Sequence, residues 1–329
     1  MASRGGCSYE ATSVTIRSVF FGTPTFAVPA LRALHAATHI VGVVCQPDRR
    51  AGRGMNWSAP PVKQAALELE LPVHQPERVR SGELESWLRA LQADVALVAA
   101  YGRILPRGVL DAPRRGCMNL HASILPEYRG AAPIQWAILQ GKTATGISLM
   151  QMDEGMDTGA VYATRQLAVP PTMNGGELTE ALAALAAEMV GEELLAAVEG
   201  RLLATAQDSS RASSAPPIRR EHLAIDWTEP SARVLCQVRA FAPSPGAFTL
   251  SGGRRLKVLE ARLGTSSEGG APGQVLATGH AKIEIACGSG SLELLRAQSE
   301  NGKPLGARDL LNGRLIQPGE RLGPEGTEG

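Results

Sequence analysis

No apolar run in this 329-residue chain approaches the roughly 20 residues that a membrane helix requires, which argues against a spanning segment. Cysteine is sparse. Cys7, Cys45, Cys117, Cys236 and Cys287 stand apart, with no Cys-x-x-Cys pair and no histidine at ligand spacing, which argues against both a metal site and a disulfide framework. An excess of one charge is missing too: 33 Lys and Arg against 32 Asp and Glu leave a net +1, too little for a global field that would steer nucleic acid. Any polyanion contact must come from local clusters, namely Arg49, Arg50 and Arg53, then Arg219 and Arg220, then Arg254, Arg255 and Lys257. The ordinary role of such a cluster is a solvated surface. The first dozen residues are mostly small or polar, include Glu10 and lack the apolar core of a secretory signal, so the chain reads as cytoplasmic, of bacterial type, with a short organellar presequence as the open alternative.

A dinucleotide fingerprint is also absent. The first apolar strand ends in Phe20-Phe21-Gly22-Thr23-Pro24 where Gly-x-Gly-x-x-Gly would stand, and Pro24 removes a donor amide. Gly52-Arg53-Gly54 shares only its glycines with a phosphate loop and lacks the Gly-Lys-Ser/Thr ending, so it reads as a mobile loop.

What is present is a two-domain rhythm. The length exceeds one average domain and the hydrophobic content of 44% suits a globular core. Short β-branched or aromatic runs at 16–21, 40–45, 94–99, 117–121 and 147–152 alternate with helical patterns, which predicts a parallel sheet with crossover helices. Pro133 fits the first turn of a helix that carries Ile134, Ala137 and Ile138 on one stripe and stops at Gly141. A helical pattern from 176 to about 203 closes this domain, placed at 1–205. Residues 206–221 then crowd in Ser209, Ser210, Ser213, Ser214, Pro216 and Pro217, as a connector would. Beyond it, in 222–329, a helix at 231–241 leads into five short strands at 247–250, 256–262, 274–277, 283–286 and 292–296, which suggest a small barrel.

The most informative segment is Asn119-Leu120-His121 together with Asp153-Glu154-Gly155-Met156-Asp157-Thr158-Gly159. Alternate residues of a strand share a face, so Asn119 and His121 point the same way from its end. Acyl-group chemistry needs donors aimed at a developing oxyanion and a carboxylate to keep an imidazole charged or to move a proton, and this trio supplies all three groups. Taken singly, a histidine at a strand end is usually a hydrogen-bonded structural residue, and Asp157 is an ordinary turn residue. The combination is what points to acyl-group chemistry.

The residues around this trio carry a resemblance. Asn119 through Trp136 (NLHASILPEYRGAAPIQW) and Met150 through Gly159 (MQMDEGMDTG) look like methionyl-tRNA formyltransferase, as do Phe21-Gly22-Thr23-Pro24, Gln46-Pro47-Asp48-Arg49-Arg50-Ala51-Gly52-Arg53-Gly54, Ala100-Tyr101-Gly102-Arg103-Ile104-Leu105-Pro106, Ile225-Asp226-Trp227 and Arg239-Ala240-Phe241. The resemblance runs from about residue 16 to about 322. It implies an α/β fold, a Rossmann-like parallel-sheet formyltransferase domain followed by a small OB-like β-barrel domain that binds tRNA. It implies Asn119, His121 and Asp157 as catalytic residues. The co-substrate would be 10-formyltetrahydrofolate, lined by Tyr101, Gly102, Arg103, Ile104 and Leu105 and by Ser123, Ile124, Leu125 and Pro126. The acceptor would be initiator methionyl-tRNA, met by Arg49, Arg50 and Arg53, and the chain would be a monomer needing no metal. The Asn-x-His with a distant Asp is shared by enzymes that use the same folate, so a sugar-nucleotide or other small-amine formyltransferase is the alternative, and a folate- or RNA-binding module without turnover a second. Two departures stand out: Met55-Asn56-Trp57 where relatives often place lysines, and Ser214-Ala215-Pro216-Pro217-Ile218 where an aromatic-Ala-x-Lys pattern is expected.

Overall fold

Residues Val95–Ala99 are apolar at every position and all are buried, a pattern only a strand covered on both faces tolerates. In the computed structural model, which describes residues 15–51, 56–266, 269–276 and 282–323, this strand sits at the centre of a seven-stranded sheet. The order across the sheet is Val161–Ala168, Ala144–Gln151, Cys117–His121, Val95–Ala99, Arg17–Gly22, His39–Val44 and Val73–His74. Side chains alternate between two cores, as a period of two requires. Phe20, Val95 and Leu97 face one side with the helix Val28–Ala37, while Val19, Phe21, Ala96 and Val98 face the other with Leu84 and Leu88 of the helix Glu83–Leu91.

The five strands from Cys117–His121 to Val73–His74 run parallel. Ala144–Gln151 departs from the all-parallel expectation: it is antiparallel to Cys117–His121, with Asn119 opposite Met150 and His121 opposite Ser148. The intervening helix, Pro133–Leu139, has 7 residues. It rises only about 10 Å and cannot carry the chain back to the far end of the sheet, so the next strand starts where the last one stopped. Because Phe21 pairs Val98 and Val98 pairs Asn119, three parallel strands end together, and Gly22, Tyr101 and His121 lie along one edge at their carboxyl ends.

The closing helix begins with a capping box at Asn174 and Glu177, spans Gly175–Met189, and continues through a wider turn at Val190–Leu194 to Leu195–Val198. The second domain holds an antiparallel sheet of six strands in the order Ala247–Ser251, Arg254–Leu263, Ser291–Ser299, Ile283–Ala286 and Val275–Leu276, with Leu305–Gly306 added beside Ser291–Ser299. It curls into a half-barrel, and register shifts at Val258, Glu260 and Ala261 supply the bend in its longest strand. The helix Ser231–Phe241 packs on this sheet and also on Pro133–Leu139 of the first domain. Arg239 fixes the junction by donating to the carbonyls of Met173 and Pro170, both at 3.0 Å. One continuous cluster of buried side chains therefore runs from Phe20 and Leu97 through Phe241 to Leu294.

The segment 206–221 is not the free connector its composition suggests. Ser214–Ala215 pairs in parallel with Arg129–Gly130, Ala215 is fully buried, and Trp136 donates its indole N–H to the Pro216 carbonyl at 2.8 Å. Serine and proline deprive a segment of its own helix or sheet, but they leave carbonyls and hydroxyls that a neighbouring loop can bind.

Candidate active site

The turn after Cys117–His121 folds back so that its backbone serves its own strand. Nε2 of His121 lies 2.9 Å from the Tyr128 carbonyl, and since a carbonyl only accepts, Nε2 carries the proton. The other ring nitrogen, Nδ1, lies 3.5 Å from Oδ2 of Asp157. That oxygen also accepts the Gly130 N–H at 2.8 Å. His121 is 5% exposed, so its ring sits in a dry site between the Tyr128 carbonyl and the Asp157 carboxylate, which together fix its orientation. Asn119, two residues back on the same face, is half-buried. Among the described residues its side chain has no hydrogen-bond partner, so its amide is free to bind a ligand. The three residues expected from the sequence thus fall into two roles of contact: His121 and Asp157 meet, and Asn119 is unengaged beside them. Neither nitrogen of His121 is free in this geometry.

Asp157 holds its position against its own preference. Its φ is +54°, in the left-handed region that a non-glycine residue enters at a cost. The loop is anchored at its start by Asp153, whose Oδ1 accepts from the Gly155 N–H at 3.0 Å and the Thr158 hydroxyl at 2.7 Å. At its end a Cβ on Gly159 would lie 1.9 Å from the Gln151 carbonyl, so only glycine lets the loop rejoin the sheet there.

The positions read as folate-lining divide. Ile104 and Leu105 line a cleft of about 520 Å³ together with Val79, Arg80 and Val109, and Glu154 reaches it from the loop that carries Asp157. Ile104 is 59% exposed there. Tyr101 instead points inward: its ring stands edge-on to Phe21 at 5.3 Å, burial pushes its hydroxyl up to about 12, and that hydroxyl has no partner among the described residues. Its carbonyl is what faces the loop, accepting from Thr23 and Gln46, both at 2.9 Å. Gly102 turns the chain at a φ of +81°, and Arg103 donates to the carbonyls of Pro76 and Glu77. Ser123 is fully buried and spends its hydroxyl on the Glu127 carbonyl at 2.6 Å. Leu125 is buried, its N–H bound by Ser148, and Ile124 and Pro126 are half-buried in the same turn. The turn therefore acts on the site through its backbone shape, and none of its four residues lines the cleft.

The arginine-rich segment is a hairpin. Arg49–Ala51 pairs antiparallel with Asn56–Ser58, Arg49 donates to Oε1 of Gln46 at 2.6 Å, and the Arg50 guanidinium lies 5.8 Å from the Trp57 ring, which is 70% exposed. Arg53 falls outside the described residues. The base of the hairpin is held by Asp48, which accepts from Lys63 at 2.8 and 2.9 Å and from Gln75 at 2.8 Å; those bonds, from Lys63 first, keep its carboxyl below the usual range. Sequence reasoning missed this brace. It also missed Gln207, whose amide N–H groups donate to the carbonyls of Asp157 and Gly159, because a single glutamine in a serine-rich stretch carries no periodic or motif signal.

A mostly parallel sheet thus carries a strand-end Asn-x-His at its carboxyl edge, met by a carboxylate from a second loop, within a chain of the formyl transferase class. The formyl transferase family model matches residues 16–194, more than half of the chain, and the model of the formyl transferase C-terminal domain matches residues 217–315. The chain belongs to the methionyl-tRNA formyltransferase family: it is 54% identical over 310 residues to the methionyl-tRNA formyltransferase of Sorangium cellulosum, covering 94% of this chain and 100% of that one. Solved structures share the fold at low identity. HypX from Aquifex aeolicus in complex with tetrahydrofolic acid superposes with a TM-score of 0.62 at 19% identity, covering 92% of this chain and 48% of that longer one. An N-formyltransferase from Helicobacter canadensis in complex with folinic acid and dTDP-3-aminofucose superposes with a TM-score of 0.65 at 15% identity, covering 85% and 98%.

Proposed function

We infer that this chain moves a formyl group from 10-formyltetrahydrofolate to the α-amine of methionine esterified to initiator tRNA, the reaction that prepares it to start translation. The observation that carries the chemistry is the contact of His121 with Asp157 beside the unengaged amide of Asn119. The acceptor rests on the 54% identity to the Sorangium cellulosum relative; the Helicobacter canadensis neighbour, at 15%, is too distant to bear on the acceptor. A folate donor is supported by the cleft at Ile104 and Leu105, which adjoins the loop of Asp157, and by the tetrahydrofolic acid and folinic acid in the two solved relatives.

In this reading the neutral amine attacks the formyl carbon and charge gathers on the formyl oxygen, where the Asn119 amide donates to it. Oδ1 of Asp157, which makes no hydrogen bond among the described residues, takes the proton from the attacking amine. It returns that proton to the folate nitrogen as the carbon–nitrogen bond to the donor breaks. His121 holds Asp157 in place through the contact of its Nδ1 with Oδ2. A direct bond from His121 to the oxyanion would require Nε2 to exchange the Tyr128 carbonyl for the substrate.

The exposed Arg49 and Arg50, with Arg53 between the two hairpin arms, would meet phosphates of the acceptor stem, and the half-barrel domain would hold the rest of the tRNA. The site of action follows from the acceptor, since initiator tRNA is charged and used in the cytoplasm. The chain would act as a monomer; among the described residues the exposed large apolar side chains are Trp57, Leu67, Ile104, Met156, Leu203 and Leu263, of which Ile104 lines the cleft. The test is an assay of the purified protein with 10-formyltetrahydrofolate and methionyl-tRNA. Formylmethionine on the tRNA is the expected product, and formylation of an amino-sugar nucleotide in place of the tRNA would overturn the reading.

A further inference from the structure

We propose that Gln207 is a positioning residue for formyl transfer, its side-chain amide clamping the loop of Asp157 to the turn of Gly130 so that the carboxylate is set against His121. The proposal rests on the reading that Asp157 acts in the transfer. It extends the site to the segment between the two domains.

Two loops must be registered against each other for the site to exist, and neither fixes the other by itself. Asp157 receives the Gly130 N–H on Oδ2, the only backbone bond to its carboxylate among the described residues. Gln207 closes the arrangement from behind. Its Nε2 donates to the Asp157 carbonyl at 2.9 Å and to the Gly159 carbonyl at 2.7 Å. Its Oε1 accepts from Nε of Arg129 at 3.1 Å and from Nη2 at 2.8 Å. Arg129 is the residue before Gly130, so a closed ring results: Asp157 carboxylate, Gly130 amide, Arg129 guanidinium, Gln207 amide and Asp157 carbonyl. Both donors and the acceptor oxygen of Gln207 are used.

The ring does what the loop cannot do for itself. The φ of +54° at Asp157 is a left-handed conformation that a non-glycine residue keeps where surrounding bonds over-determine it, and the pair of bonds from Gln207 grips the carbonyls on either side of Thr158. Gln207 is itself held, because the segment that follows it is pinned to the same turn. Ser213 accepts the Tyr128 N–H on Oγ at 2.9 Å and the Arg129 N–H on its carbonyl at 2.9 Å, and the Ala215 carbonyl accepts the Ala132 N–H at 3.1 Å. The same turn supplies the Tyr128 carbonyl that orients His121. One strap therefore indexes both members of the catalytic pair.

The experiment compares the full-length protein with Gln207→Glu and Gln207→Leu, measuring the single-turnover rate of formyl transfer to methionyl-tRNA, its pH profile, the KM for folate and for tRNA, and thermal unfolding. Gln207→Glu keeps an oxygen for Arg129 but turns a carboxylate toward the two carbonyls, so it separates the clamp from mere attachment of the strap. Both variants are expected to lose about 10- to 100-fold in rate, with a pH profile displaced from that of the unaltered protein. The KM values should move about twofold or less, as expected when only the transition state is affected. Wild-type rates in Gln207→Glu would overturn the proposal, as would a rate loss that disappears at a temperature where the variant is fully folded. If the unaltered protein formylates the tRNA and the variants match it, only this inference fails; if the unaltered protein transfers nothing, the proposed function fails with it.

Discussion

Nδ1 of His121 and Oδ2 of Asp157 stand 3.5 Å apart, and each is held by a backbone group of the same short turn, the Tyr128 carbonyl and the Gly130 amide. The turn thereby sets the ring and the carboxylate at once. Asp157→Asn retains the shape of the side chain but removes its charge and its capacity to carry a proton. Single-turnover formyl transfer should fall by at least about 100-fold while folate binding changes little. Equal rates for the variant and the unaltered protein would remove Asp157 from the mechanism.

Asn119 offers a cleaner substitution, because its amide has no partner to lose. Asn119→Ala should slow formyl transfer by roughly 100- to 1,000-fold, the usual cost of one oxyanion donor. Stability should stay within about 0.5 kcal/mol in urea unfolding, since no internal hydrogen bond is broken. A large loss of stability with little loss of rate would mean the side chain serves the fold instead.

The exposed hairpin predicts a salt effect. Arg50→Ala should raise the KM for tRNA, leave that for folate unchanged, and reduce the slope of log binding against log salt by about one, the signature of a lost phosphate contact. Fluorescence titrations of tRNA at several salt concentrations measure that slope. An unchanged slope would mean that Arg50 only covers Trp57.

In the half-barrel, Glu284 is almost fully buried, yet its carboxyl is lowered to about 2. Burial acts to raise it, and that is outweighed by bonds from Lys282, the Ser266 and Thr265 amides, and the Ser291 hydroxyl. A carboxyl depressed in the folded state stabilises it above the unfolded value, and that contribution is lost as pH falls from about 4.5 toward 2. It is on the order of 3 kcal/mol at neutral pH. Glu284→Gln should therefore destabilise the protein at pH 7 and much less at pH 3, as read from melting temperatures at the two values. The same loss at both pH values would show that the carboxyl charge is not the cause.

Gly130→Ala probes the strap by sterics. The φ of Gly130 is +127°, and a Cβ there would lie 2.6 Å from the Ala215 carbonyl. The substitution should cost more than about 1 kcal/mol and slow transfer, because the amide that holds Asp157 must move with it. Unfolding and single-turnover rates together check this; a variant as stable and as fast as the original would mean that the strap yields freely.

Much of this protein was legible in the order of its residues. The strand 117–121 is found at its expected limits, as is the helix 231–241, because period-two and helical patterns record which face of an element is buried. The fold class could likewise be read from these patterns, and the family from the resemblance carried by the segments around Asn119, His121 and Asp157. What the order of residues could not record is anything decided between distant segments: the antiparallel turn of Ala144–Gln151, the burial of Tyr101 and Ser123 away from the cleft, the engagement of both His121 nitrogens, and the pinning of a serine- and proline-rich segment by Gln207, Ser213 and Ala215. Composition reports how little structure such a segment makes alone. Its role arises only when carbonyls and amides left unpaired on two loops find partners across 50 or more residues of chain, and that pairing exists only in three dimensions.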